Sequence, residues 1–309
     1  MSEIIKPLFS FKDVIEIDIP KIEILDIGAM LTTNNWYDSL VENNAASVIG
    51  FEPNPAEFDR LCKEGPDGCT WLPYFLGDGS EATFYQTRFP GCSSLYVPDP
   101  SVIDLFQTIG AGTPAGNFYV VGTERVQTKR LDDIEQCPEI DFIKIDVQGS
   151  ELNIFKNSIE TLKNVSVIQT EVEFIPIYKN QPLFGDIQTF LREQGFQLHK
   201  FIDVEGRCMR PFEIQQHPFS AMSQILWADA IFIRDFSMLG GLSDEQLIKS
   251  AVILHDLYLS YDVVLFLLTQ FDKRRGSNLS SFYNQALQKH GNVERLYMNL
   301  KEHVDGVCP

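Results

Sequence analysis

The chain has 309 residues, 44% of them hydrophobic and 22% charged, which is enough apolar material to bury a large core. Its 43 acidic residues outnumber 25 basic ones, for a formal net charge of −18. Such a surface repels polyphosphate and anionic bilayers, so neither nucleic acid nor a membrane surface is an expected partner.

Cys62, Cys69, Cys92, Cys137, Cys208 and Cys308 form no CxxC and no Cys/His pair at zinc-finger spacing. They read as free thiols of a reducing compartment. The N-terminal stretch is acidic and has no secretory apolar run. Ala251–Phe271 is the most apolar later stretch, but His255, Asp256 and Asp262 interrupt it, short of the ~20 uncharged residues a membrane span needs. A cytoplasmic location is expected.

In chain order, Ile22–Gly28 is an apolar run ending at glycine, and Ser47–Pro53 is a second, followed by a helix over Pro55–Lys63. Trp71–Gly77 reads as a third strand and Ala82–Thr87 alternates like an exposed one. Ser93–Gly116, rich in Ser, Pro and Gly, is a candidate mobile loop or lid, and Asn117–Arg125 is β-rich. Asp141–Val147 is the strongest buried-strand signal, and Ser150–Lys163 follows with helical spacing. Val165–Phe174 is a strand, Phe184–Gln194 a helix stopped by Gly195, and Gln197–Val204 with Ile225–Arg234 a closing hairpin with one antiparallel strand. Strands alternating with helices imply a mostly parallel sheet covered on both faces. Leu242–Leu268 and Ser280–Val304 then carry helical spacing, with a capping box at Ser243–Gln246 and a break at Lys273–Ser277. The expected division is an N-terminal extension (1–21), an α/β domain (22–235) and a helical appendage (236–309). The appendage has enough apolar surface to cover its own sheet domain or a second copy.

Ligands of open α/β sheets sit beyond the carboxyl ends of the strands. Here those ends deliver Asp26 and Gly28, then Glu52, then Asp78, then Asp146 with Gln148 and Gly149, then Glu171 and Glu173. An acid at the second strand end suits the hydroxyls of a ribose. Met30–Asn34 follows the first turn without a second or third glycine, so the diphosphate of NAD is poorly provided for. A nucleoside without phosphates and with a positive centre suits an acidic rim better, and S-adenosylmethionine is such a ligand. GxxxxGK[ST], HExxH and GxSxG are all absent.

The segments ILDIGA (24–29), VIGFEPNP (48–55), LGDG (76–79), SSLY (93–96), TKRLDDI (128–134), DFIKIDVQGSE (141–151) and QTEVEF (169–174) resemble the FkbM-type S-adenosylmethionine-dependent methyltransferases. The resemblance runs from about residue 22 to 234, and DFIKIDVQGSE is its most specific part. It implies a Rossmann-like class I methyltransferase sheet of seven strands in order 3-2-1-4-5-7-6, the last antiparallel. It also implies O-methylation of a hydroxyl, on a sugar, a glycan or a secondary metabolite. Carried over by position, Asp26 and Gly28 lie beside the methionine moiety, Glu52 binds the ribose hydroxyls, Asp78 the adenine amino group, and Asp146 stands at the methyl-transfer mouth.

Asp146, Glu171 and His217 are the candidates for the base that takes the acceptor proton, in that order. Glu171 and Glu173 are expected to point to opposite faces of their strand, leaving at most one at the site. Glu151 is expected either to favour a helix N-terminus or to act in the site, and Ser93 and Ser94 to form a turn or a closing loop. A divalent metal bridging carboxylates is compatible with this acidic mouth, although no spacing requires one. The other readings are a Rossmann-type oxidoreductase and a degenerate methyltransferase fold serving as a scaffold. The appendage leaves room for a homo-oligomer.

Overall fold

The computed structural model describes residues 7–30, 35–137 and 139–290. Two compact units form, one over Lys21–Leu242 and one combining the described parts of Glu3–Pro20 and Ser243–Pro309.

The first unit holds ten strands: β1 (Ile22–Ile27), β2 (Ala46–Phe51), β3 (Cys69–Leu72), β4 (Phe75–Leu76), β5 (Glu81–Thr87), β6 (Val120–Lys129), β7 (Phe142–Ile145), β8 (Val167–Glu173), β9 (Phe196–Gly206) and β10 (Ile225–Arg234). Seven of them make one sheet in the order β3-β2-β1-β7-β8-β10-β9. β10 runs antiparallel to both of its neighbours, and every other pair in the sheet is parallel. This is the anticipated class I methyltransferase topology. β1, β2, β7 and β8 are almost wholly buried because helices cover a parallel sheet on both faces. Their side chains join Leu152, Phe155, Ile187 and Leu191 of the flanking helices in a single core.

Three elements differ from expectation. The run Trp71–Gly77 is two strands in two sheets. Pro73 has no N–H for the ladder, so β3 stops on β2 and the chain re-pairs beyond it, Phe75 and Leu76 lying against Thr128 and Lys129 of β6. β4, β6 and β5 form a separate three-stranded sheet. The helical spacing of Ser150–Lys163 becomes two short helices, Glu151–Lys156 and Ile159–Leu162. Between them Asn157 and Ser158 bind the Asn153 and Ile154 carbonyls through their side chains, at 2.8 and 2.6 Å, in competition with the helical ladder. The segment Ser93–Gly116, anticipated as a loose lid, packs around a core of its own: Ile103, Phe106 and Ile109 against Ile177, Tyr178 and Leu226.

In the second unit, helices over Asp244–Asp256, Tyr261–Arg275 and Leu279–His290 pack on one another. Ser243 and Gln246 complete the capping box at 3.1 and 2.8 Å. Leu242–Leu268 is not continuous: the turn after Asp256 puts Leu259 at φ +52°. Gly276, at φ +67°, ends the second helix at the expected break. His255 is fully buried, 2.7 Å from both the Tyr283 hydroxyl and the Phe9 carbonyl, and burial pulls its pKa down to about 4. The part of the Ser280–Val304 pattern beyond His290 lies outside the described residues. Among the described residues no helix is long and apolar enough to cross a membrane.

Candidate active site

Because β1, β2, β3, β7 and β8 are parallel, their carboxyl ends converge on one edge of the sheet. A cavity of about 440 Å³ opens there, a size that suits a nucleoside-bearing small molecule.

Gly28 and Asp146 form its floor. Gly28 turns at φ +82°, and its N–H donates to the Phe51 carbonyl at 3.0 Å. A Cβ there would sit 2.0 Å from the Asp146 carbonyl oxygen, so the turns after β1 and β7 approach too closely for any side chain. The Asp146 N–H in turn donates to the Ile27 carbonyl at 3.0 Å. Glu52, at the end of β2, lines the wall and is only 7% exposed. The Asn54 N–H donates to its Oε1 at 2.6 Å, and burial, outweighing that bond, pushes its pKa up to about 7. Phe51, Tyr74, Phe75, Leu76, Phe84 and Phe89 supply an aromatic and aliphatic wall. Sequence reasoning missed this wall, because aromatics in short strands read equally well as core.

Asp26 does not line the cavity. It is buried beneath the floor, where Lys144, its register partner on β7, stands 3.2 Å from Oδ1 and the Tyr37 hydroxyl donates to Oδ2 at 2.6 Å. Asp78 also lies outside the lining: its carboxylate is turned onto the Ser80 N–H and hydroxyl, at 2.9 and 2.6 Å, which holds its pKa below the usual range. The local Asx turn accounts for this orientation. His217 is exposed in a turn and is not a lining residue either.

Beside Asp146 the structure gathers the other acids. Glu151 is 1% exposed and accepts the N–H groups of Val147 and Gly149, at 2.9 and 3.2 Å, so it braces the turn after β7 from inside. Burial raises its pKa to about 7. Glu171 and Glu173 share a face, contrary to the expectation that they diverge, since residues two apart on a strand point the same way. Both feel Asp146 and Glu151, and burial first, then these like charges, raises both far above the carboxylate range. Gln148, at φ +58°, spans the group: its Nε2 donates to Asp146 Oδ1 at 2.8 Å and to Glu171 Oε2 at 2.6 Å. Its own Oε1 lies 2.9 Å from the Tyr178 hydroxyl, and the Ser94 hydroxyl donates to its carbonyl at 2.6 Å. Gln148 was read only as part of the turn after Asp146, and Tyr178 carried no motif signal.

The sequence matches the methyltransferase FkbM domain over residues 26–198, more than half of the chain. The chain belongs to the FkbM methyltransferase family. The hexuronic acid methyltransferase AglP of Haloferax volcanii is 24% identical to this FkbM chain over 174 residues, spanning 54% of the chain and 64% of AglP. Among solved structures, the magnesium protoporphyrin IX methyltransferase ChlM of Synechocystis PCC 6803 with bound SAM aligns at a TM-score of 0.34 and 10% identity, covering 70% of this chain and 71% of that one. TYW2 of M. jannaschii in complex with AdoMet aligns at 0.31 and 12%, covering 73% and 74%.

Proposed function

We propose that the chain is an S-adenosylmethionine-dependent O-methyltransferase whose acceptor is a hydroxyl of a sugar, in particular a uronic sugar. The observation that carries this reading is the Glu52 carboxylate, buried at the end of β2, on the same cavity that Gly28 and Asp146 floor. A carboxylate in that place suits two vicinal ribose hydroxyls. The glycine floor, which admits no Cβ, leaves room for the donor's amino-acid tail. The aromatic wall of Phe51, Tyr74 and Phe75 suits an adenine ring. The residues present therefore fit the donor.

When bound, S-adenosylmethionine supplies an electrophilic methyl group on a sulfonium. The chain's part is to hold an acceptor oxygen in line with that group and to take its proton. Asp146 is the first candidate for orienting the oxygen, since it lines the cavity. Asp146 is also the first candidate for the proton; Glu171, outside the lining and raised well above the usual carboxylate value, is joined to it through the Gln148 amide and positions it. His217, solvated in a turn outside the lining, is no longer a favoured base. The uronic class rests on what the AglP relative is named for.

The test is formation of S-adenosylhomocysteine from S-adenosylmethionine across a panel of glucuronic and galacturonic acids, their glycosides and neutral hexosides. Turnover that depends on a uronic sugar, with the methyl group found on oxygen, supports the proposal. Failure of the protein to bind either nucleoside overturns it.

A further inference from the structure

We propose that Phe89 is the platform on which the acceptor's sugar ring rests, and that it selects the ring face turned away from Asp146. The inference rests on the reading of the cavity as a methyl-transfer site for a sugar hydroxyl. Of the large apolar side chains that line the cavity, Met30 and Phe89 alone are exposed, Phe89 the more so at 56%. A side chain that lines a cavity and yet stands mostly in solvent lies at its mouth, where a second substrate enters. In the proposed reading the adenine ring has Phe51, Tyr74 and Phe75, which are buried or half-buried, and Phe89 is left to the acceptor.

The chemistry of the lining points the same way. Among the described residues that line the cavity there is no Lys, Arg or His, and the charged ones, Glu52, Glu57 and Asp146, are all acidic. The cavity therefore has no cation with which to clamp a sugar carboxylate. What it offers a sugar is oxygen acceptors for hydroxyls and an apolar surface for the ring. One face of a pyranose carries axial C–H groups, whose partial positive charge complements the negative face of a phenyl ring. Phe89 is also held in place. Its N–H donates to the Asn117 carbonyl at 3.0 Å, and its own carbonyl accepts the Thr87 hydroxyl at 2.7 Å and the Cys92 N–H at 2.9 Å. The ring edge rests on Gly91, where a Cβ would lie 2.8 Å from Phe89 Cε1. Ser94, further along the same turn and 1% exposed, exchanges backbone hydrogen bonds with Tyr85 at 2.8 and 3.2 Å. Its hydroxyl donates to the Gln148 carbonyl at 2.6 Å, two residues beyond Asp146. The platform and the turn that carries Asp146 thus belong to one hydrogen-bonded frame, which is what alignment of an acceptor oxygen with a methyl donor requires.

The test reads binding of the two substrates separately, so that this inference and the methyl-transfer reading fail separately. Full-length protein is mixed with methyl β-D-glucuronide, with and without S-adenosylhomocysteine, and saturation transfer from protein to sugar is followed by nuclear magnetic resonance. S-adenosylhomocysteine is titrated on its own by calorimetry; its failure to bind counts against the methyl-transfer reading, whatever the sugar does. Expected is transfer concentrated on the C–H protons of one ring face. Phe89→Ala should weaken the sugar at least about tenfold and leave S-adenosylhomocysteine within about twofold, while Phe89→Tyr, which keeps the ring, should hold both. Phe282→Ala, an equally exposed aromatic of the helical unit, should change neither. Sugar affinity undiminished in Phe89→Ala overturns the proposal, as does transfer spread evenly over both ring faces or no transfer at all. A fall in S-adenosylhomocysteine affinity in Phe89→Ala overturns it too, because the ring then serves the donor.

Discussion

Glu52→Gln should make the protein more stable and less able to bind its nucleoside. Burial raises the Glu52 pKa from 4.5 to about 7, and the Asn54 N–H only partly offsets that. Folding therefore works against the ionised form by up to about 3 kcal/mol, at 1.36 kcal/mol per pH unit. The sign follows from the raised value. At pH 4 both folded and unfolded chains carry the proton and nothing is lost. As pH rises from 4.5 to about 7 the unfolded chain ionises first, and wild-type stability falls; above that the loss is complete. Glutamine keeps an oxygen for the Asn54 N–H and carries no charge. In scanning calorimetry the variant should thus melt roughly 5 °C higher than wild type at pH 8 and together with it at pH 4. Isothermal titration at pH 8 should meanwhile show S-adenosylhomocysteine weakened by about tenfold to a hundredfold, the loss of charge-assisted bonds to two hydroxyls. A mere packing role would lower both quantities or neither. Unchanged nucleoside affinity, or a variant that melts below wild type at pH 8, would refute the reasoning.

The same carboxylate predicts a pH profile: hydroxyl donors favour its ionised form, so wild-type affinity for S-adenosylhomocysteine should fall by up to about tenfold per unit below pH 7 and stay flat in Glu52→Gln, as titration calorimetry between pH 5.5 and 8 would show. Gly28→Ala meets the Asp146 carbonyl at 2.0 Å from a φ of +82° and should cost at least about 2 kcal/mol, read as a lower urea midpoint together with lost nucleoside binding. Asp146→Asn keeps the shape of the turn and should hold its melting temperature while methyl transfer falls at least about a hundredfold; wild-type turnover would end the claim for that carboxylate. Asp78→Ala should leave S-adenosylhomocysteine affinity within about twofold, because the carboxylate serves Ser80, and His217→Ala should leave turnover unaltered; a loss in either, by the corresponding assay, would return that residue to the site.

The legible part of this chain is the part governed by short-range patterning. β1, β2, β7, β8 and β10 stand within one or two residues of their apolar runs, since burial on both faces leaves little choice of residue. The Ser243 capping box and the Gly195 and Gly276 stops were equally visible. What escaped depends on partners distant in the chain. Nothing near Phe75 says that it leaves the main sheet for Thr128, and only the missing N–H of Pro73 gives a hint. Nothing near Asp26 says that Lys144, 118 positions on, stands opposite it and pairs with its carboxylate. Asp78 is held by a near neighbour instead: Ser80, two residues away, offers it two donors. Glu171 and Glu173 needed only the period of a strand, and correct use of it places both on one face of β8.

Gln148 ties these observations together. A non-glycine residue at φ +58° costs about 1 kcal/mol or more, and the fold keeps it. The compensation lies in its side-chain amide, which donates to Asp146 at 2.8 Å and Glu171 at 2.6 Å. A side-chain hydrogen bond contributes about 0.5–1.5 kcal/mol net, so the two together offset the strain. A carboxylate at this position would be a further like charge among four and would have no proton to give either neighbour. Tyr178 and Ser94 fix the amide from behind, through its Oε1 and its backbone carbonyl. The strained turn therefore sets the spacing of Asp146 from Glu171, and with it where the Asp146 carboxylate stands at the cavity.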